Sequence, residues 1–412
     1  MKTLILVTES YPFDGAREHT FLNPEVKILS SRCDLHIIPA TRQGDFCLNI
    51  QNVSVVKGFD LNRRRFWLIY YSVLGLFRKE FWMSFAGCIS RCYKFRHVLG
   101  VVLYYAKACV FRDFLDRYIR FNNLNDAIVS TFWFSYYTLG SGMLKMKLPS
   151  LTVVTRAHGH DLYEERWPSF QIPFRRHAIS LMDAIFPDSE AGVHYLSSKY
   201  PEYRFRYHVG RLGILSHNIH TEASLDGVIR LVSCAYLVSV KRIDRIARAL
   251  MVLSRRYPSQ SVEWTHFGDG PEKPLVESIV SSILSPNIRC YLVGDVSNQD
   301  VFSHYANNPV DFYINVSSTE GTPVSVIEAI SCGIPSIVSA VGGNSEVVDI
   351  SNGVLLNVDF SDTELADSIV NSCNDKYSYA KMKERSLIKW RKLYNANVNY
   401  AEYFEYIQSL SS

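Results

Sequence analysis

At 412 residues the chain is too long for one compact core and suits two domains. A hydrophobic content of 47% with 20% charged residues excludes a disordered or fibrous chain, and no solenoid-period repeat occurs. Nine scattered cysteines without a Cys-x-x-Cys pair read as reduced cytosolic core residues, which excludes a disulfide scaffold and a zinc finger.

The first residues, Met1 to Glu9, carry one basic charge and a short apolar run that Glu9 interrupts. They read as a buried parallel strand over Thr3–Val7 rather than a signal peptide. A turn follows over Tyr11–Ala16, then a helical pattern from Ala16 to Ser30 and a second strand over Asp34–Ile38. A doubly wound sheet binds ligands past the carboxyl ends of its strands, so the Gly15 turn is a natural site. A Gly-x-Gly-x-x-Gly fingerprint is absent there.

The net charge of +4 conceals an uneven distribution. Leu61–Arg120 holds twelve Lys and Arg against three acids, leaving the rest of the chain about five charges negative. Arg63, Arg64 and Arg65 precede the apolar run from Phe66 to Phe77, which is too short to cross a bilayer at ~20 residues. Basic groups interleaved with Trp and Tyr on helices suit an anionic membrane surface, or a channel for an anionic lipid-linked acceptor. Core helices with solvated basic faces are the plain alternative. No nucleic-acid motif is present.

Strand patterns recur at Ala127–Ser130, Leu151–Thr155 and Ala184–Pro187. The second leads into Arg156-Ala157-His158-Gly159-His160-Asp161, which places His158 just past a strand end. Asp161 suits orienting that histidine or touching an acceptor, and Ser189 suits a helix cap. The polar stretch 215–228 reads as a linker. Strands then alternate with helices at Arg230–Cys234, Ser261–Phe267, Ile288–Val293, Val310–Val316, Pro335–Val338 and Gly353–Leu356. That alternation implies a second parallel sheet with ligand loops along one edge. The first of those loops holds Lys241 and Arg242, and the second runs from Phe267 to Glu272.

The stretch from Ser317 to Pro335 is the most informative. An apolar strand ends at Val316, Thr322 is a good helix N-cap, and Pro323 suits the first helical position. Gly333 and Pro335 stop the helix. The free N–H groups over Gly321–Val324 and the helix dipole make an anion site. Glu320 lies in the turn. Glu328 lies a turn and a half inside the helix, within reach of a ribose attached to a diphosphate.

This stretch resembles the Glu-seven-residue-Glu signature of family 4 of the retaining glycosyltransferases, and Ala340 to Val348 is similar to the segment that follows it there. The resemblance implies a GT-B fold: two Rossmann-like doubly wound α/β domains facing across a cleft. It implies an acceptor domain over 1–214 with a basic aromatic helical insert at about 61–120. A nucleotide-sugar domain over 229–390 and a terminal helix over 391–412 returning to the first domain complete it. The implied donor contacts are Gly15, Lys241, Arg242, Gly321, Thr322, Pro323, Val324 and Glu328, and the implied catalytic set is His158, Glu320 and Lys241. Tyr236 stands where the family usually has an Arg, and Ala16 departs from its usual glycine pair.

The activity so implied is metal-independent, retaining hexosyl transfer from a nucleotide sugar to a glycan in surface polysaccharide synthesis, of lipopolysaccharide or exopolysaccharide type. The acceptor would be lipid-linked and the enzyme cytoplasmic, peripheral on the inner face of the plasma membrane. No Asp-x-Asp pair occurs, so cations and backbone N–H groups are expected to carry the leaving diphosphate without a metal. A sugar-nucleotide epimerase or phosphorylase, or a non-catalytic binding protein on the same fold, are the other readings.

Overall fold

The computed structural model describes residues 2–13, 18–42, 44–48, 50–56, 58–78, 81–82, 95–167, 172–374 and 376–411. The chain divides into two units, Met1–Gly213 with Ala396–Ser412, and Ile214–Asn395.

The first unit is built on six parallel strands: β1 (Thr3–Thr8), β2 (Asp34–Pro39), β3 (Val53–Val55), β4 (Ile128–Thr131), β5 (Thr152–Ala157) and β6 (Ala184–Pro187). Their order in the sheet is β3-β2-β1-β4-β5-β6. Leu4, Ile5, Leu6 and Val7 point alternately to the two faces of β1, yet all are buried. Both faces are covered, which is why parallel strands read as unbroken apolar runs. The edge strand β3 escaped prediction because three residues, none of them buried, carry too little pattern.

Helices His19–Leu29, Phe95–Phe121 and Tyr136–Lys145 cover this sheet, and helix Ala396–Ser409 joins the unit against His19–Leu29. Buried Arg156 fastens that last helix. Its guanidinium ion-pairs with Glu25 at 3.1 Å, donates to the Gly210 carbonyl at 3.0 Å and lies 4.0 Å from the Tyr403 ring centre. A charge this deep is tolerated only with such partners. The Tyr403 and Ser130 hydroxyls meet at 2.7 Å.

The second unit repeats the plan with β7 (Val228–Cys234), β8 (Ser261–Phe267), β9 (Ile288–Gly294), β10 (Phe312–Asn315), β11 (Ser336–Ser339) and β12 (Gly353–Leu356), all parallel. Their order is β12-β11-β10-β7-β8-β9. In both sheets the first strand lies between the second and the fourth. That is the topological switch point of a doubly wound sheet, where diverging connections open a crevice at the carboxyl edge.

The stretch 215–228 is not a free linker. Thr221 donates its backbone N–H to Cys332 and its hydroxyl to Tyr305, and Val310 donates to the Glu222 carbonyl. These bonds tie the segment to the second unit. Trp390 and Tyr394 are buried in the second unit's core, and the segment that belongs to the first unit begins at Ala396 rather than at residue 391.

Candidate active site

In the second unit, the loops after β7 and β10 meet at the switch point. The Ser318 N–H donates to the Val240 carbonyl at 2.8 Å, fastening one loop to the other. This brings Lys241 to Glu320: Nζ lies 2.6 Å from Oε1. The same oxygen accepts from Ser317 Oγ at 2.7 Å and Asn315 Nδ2 at 3.1 Å. Three donors on one oxygen fix the carboxylate.

The turn behind Glu320 depends on a second loop. Gly343 donates its N–H to the Gly321 carbonyl at 3.0 Å, and Gly342 has a φ of +48°. A Cβ at Gly342 would lie 2.0 Å from the Glu320 carbonyl oxygen, so only glycine permits this approach. Gly268 serves similarly after β8: its Cβ would lie 2.0 Å from the Ala235 carbonyl oxygen.

The helix that follows spans Val324–Ser331, and its capping residue is Pro323. The expected Thr322 cap is therefore off by one residue. Pro323 has ψ near 81°, outside the helical range, so the first helical residue is Val324. Val326 and Ile327 donate to the Pro323 carbonyl, and the N–H groups of Val324 and Ser325 precede them at the helix start. Gly333 ends the helix in the left-handed region at φ +75°, as its sequence suggested.

Glu328 lies buried on this helix and accepts from Asn298 Nδ2 at 2.8 Å. Burial pushes its carboxyl up to about 7, and the Asn298 hydrogen bond opposes the shift. Asn298 was not anticipated. Its only signal is its place at the start of helix Asn298–Asn307, which follows β9.

Arg242, expected in donor binding, turns its side chain to backbone carbonyls. Its side chain donates to the carbonyls of Val316 at 2.7 Å, Val358 at 2.9 Å and Ser317 at 3.1 Å, over the Phe360 ring. A guanidinium engaged this way clamps loops together with three of its five N–H donors. Tyr236 is exposed beside this loop.

In the first unit, His158 follows β5 and is buried between Phe132 at 4.5 Å and Trp133 at 5.0 Å. Its Nδ1 lies 3.4 Å from Asp188 Oδ2, while Nε2 is buried without a partner among the described residues. Asp161 accepts from the backbone N–H groups of His158 and Phe134, so it holds the loop rather than the ring. Ser189 caps its helix through Gly192 N.

Gly15 lies outside the described residues. The loop before it is organised by Glu18, which sequence reading missed. This buried carboxylate accepts the N–H groups of Glu9, Ser10 and Tyr11, each at 2.8 Å, and the Trp133 indole at 2.7 Å. A lone Glu before a helix carries no signal of such a role. Burial and the neighbouring Glu18 carboxylate push the Glu9 carboxyl up to about 7. Among the described residues, no cluster of three or more His, Cys, Asp or Glu side chains is arranged to hold a metal.

Residues 229–375 match the family model of the glycosyl transferases group 1. That match falls within the second unit. The chain is 29% identical over 168 residues, 40% of its length, to a phosphatidylinositol N-acetylglucosaminyltransferase component of Arabidopsis thaliana. It is 32% identical over 89 residues, 22% of its length, to protein CapJ of Staphylococcus aureus. These stretches span 36% and 22% of the two relatives' own lengths.

Among solved structures, a glycosyltransferase of Rickettsia africae superposes at a TM-score of 0.70, with 14% identity over 99% of this chain and 98% of that one. HepE of Anabaena, in complex with UDP and glucose, superposes at 0.64, with 14% identity over 99% and 100%. The two units thus have the GT-B fold of two Rossmann-like α/β domains.

Proposed function

We propose that this protein is a retaining glycosyltransferase that moves a sugar from a nucleotide-sugar donor to a hydroxyl of a glycan acceptor. The observation that carries this reading is the placement of Lys241, Glu320 and the start of helix Val324–Ser331 together at one switch point. The ammonium and the helical N–H groups of Val324 and Ser325 suit a diphosphate. The Glu320 carboxylate suits a sugar hydroxyl, and Glu328 with Asn298 suits the ribose. The UDP and glucose bound by the Anabaena neighbour support this choice of ligand.

In the reaction, the acceptor oxygen bonds to the anomeric carbon as the bond from that carbon to the diphosphate oxygen breaks. Lys241 stabilises the charge that gathers on the departing diphosphate. The hydroxyl proton passes to that phosphate, so no side chain need act as a strong base and no metal is required. On the first unit, His158 presents Nε2 for sugar recognition. A lipid-linked acceptor in glycan synthesis accords with the name of the Arabidopsis relative.

The test is calorimetry with a panel of nucleoside diphosphates and nucleotide sugars, followed by transfer assays with the donor that binds. Saturable binding that stabilises the protein is expected. Absence of affinity for every sugar nucleotide would end this reading.

A further inference from the structure

Helix Arg65–Gly75 in the first unit is apolar on two faces. Leu68, Tyr71, Leu74 and Gly75 turn toward the core. Phe66, Ile69, Tyr70 and Val73 turn outward, and the stripe continues to Phe77. Their spacing of three and four places them along one side. Phe66 is 72% exposed and Phe77 81%. A contiguous outward apolar stripe is unfavourable in water and marks a contact surface.

A cavity of about 320 Å³ lies at the amino end of this helix, lined by Arg42, Gly58, Asp60, Arg63, Arg64 and Trp67. Three guanidinium groups face one carboxylate. Asp60 is already engaged by Arg63 Nε at 3.3 Å and the Asn62 N–H at 3.0 Å. Arg42 Nε is buried without a hydrogen-bond partner among the described residues. The Arg64 guanidinium stacks against Phe59 and Phe114, and burial followed by the charge of Arg117 pushes its pKa down. Uncompensated like charges and an orphaned buried donor describe a site built for an anion.

Trp67 joins the two features, since it lines the cavity and belongs to the partly exposed helix. Among the described residues, no helix is long and apolar enough to cross a membrane. We propose that the arginine-lined cavity takes the phosphate of an anionic phospholipid headgroup while the outer stripe of helix Arg65–Gly75 enters the same leaflet. A bilayer supplies both chemistries at the required spacing, with phosphates at the surface and acyl chains below.

The experiment is sedimentation of the full-length protein with phosphatidylglycerol-containing vesicles and with phosphatidylcholine vesicles, at low and high salt. The protein should pellet with the anionic vesicles at low salt and be released by salt. The R42Q/R63Q double variant should lower the partition coefficient about thirtyfold at unchanged thermal stability. The F66S/F77S variant should weaken binding without changing its salt dependence.

The proposal is overturned by recovery of wild-type protein in the supernatant, by equal binding to neutral vesicles, or by a double variant that pellets like wild type. Soluble glycerol phosphate that binds through Arg42 and Arg63 while vesicles do not would equally overturn the membrane assignment. Nucleotide affinity, read in the same samples, reports on the second unit separately.

Discussion

Lys241 Nζ lies 2.6 Å from Glu320 Oε1 although the two residues are 79 positions apart. On the proposed function, a donor diphosphate beside this pair would share or displace the ammonium. Lys241→Ala should weaken nucleoside diphosphate affinity and cut transfer by about a hundredfold or more. The fold should persist, because Ser317 and Asn315 still hold Glu320. Calorimetry and initial rates check this, and wild-type turnover in the variant would remove Lys241 from the mechanism.

On the proposed function, Glu328 should make nucleotide binding dependent on pH. Its carboxyl is pushed from an ordinary 4.5 to about 7 by burial. Folding therefore favours the protonated form, so its contribution to stability is greatest below pH 4.5, declines as pH rises toward 7 and is flat above. A carboxylate that accepts ribose hydroxyls must be ionised, so affinity should rise with pH through about 7. Glu328→Gln should flatten both profiles. Titration calorimetry across that range decides the matter.

Arg242 should behave as a structural residue. Arg242→Met strips donors from the carbonyls of Val316, Ser317 and Val358 and should destabilise the second unit by about 2 kcal/mol. Nucleotide affinity of the folded variant should remain near wild type. A large loss of affinity at unchanged stability would return Arg242 to the phosphate site.

Glu18 should matter more than its position suggests. Glu18→Ala would leave three backbone N–H groups and the Trp133 indole without their acceptor, at a cost of about 3 kcal/mol or more. Hydrogen exchange at the amides of Glu9, Ser10 and Tyr11 should quicken. Unchanged protection there would refute the role.

His158→Ala should lower transfer by about a hundredfold while leaving nucleotide affinity intact, since His158 belongs to the other unit. Steady-state kinetics set beside calorimetry separate the two effects. A parallel loss of nucleotide affinity would contradict this assignment.

Local chemistry determined much of this protein. Unbroken apolar runs such as Leu4 to Val7 fixed parallel strands, because residues on both faces of a covered sheet must be buried. Gly333 fixed a helix end, because only a residue without a Cβ enters the left-handed region freely. The punctuation from Gly321 to Pro335 gave a turn and a short helix after a strand, which the structure has. Tertiary structure decided which charges are available. Arg242 and Lys241 are neighbours and look equivalent in sequence, yet three distant carbonyls claim one and a single carboxylate holds the other. Asn298 gained its role in the same way, and Glu18 through its bond from Trp133, 115 positions on. Hydrogen-bond partners brought together by a crossover lie far away along the chain, and no local pattern records where they will meet.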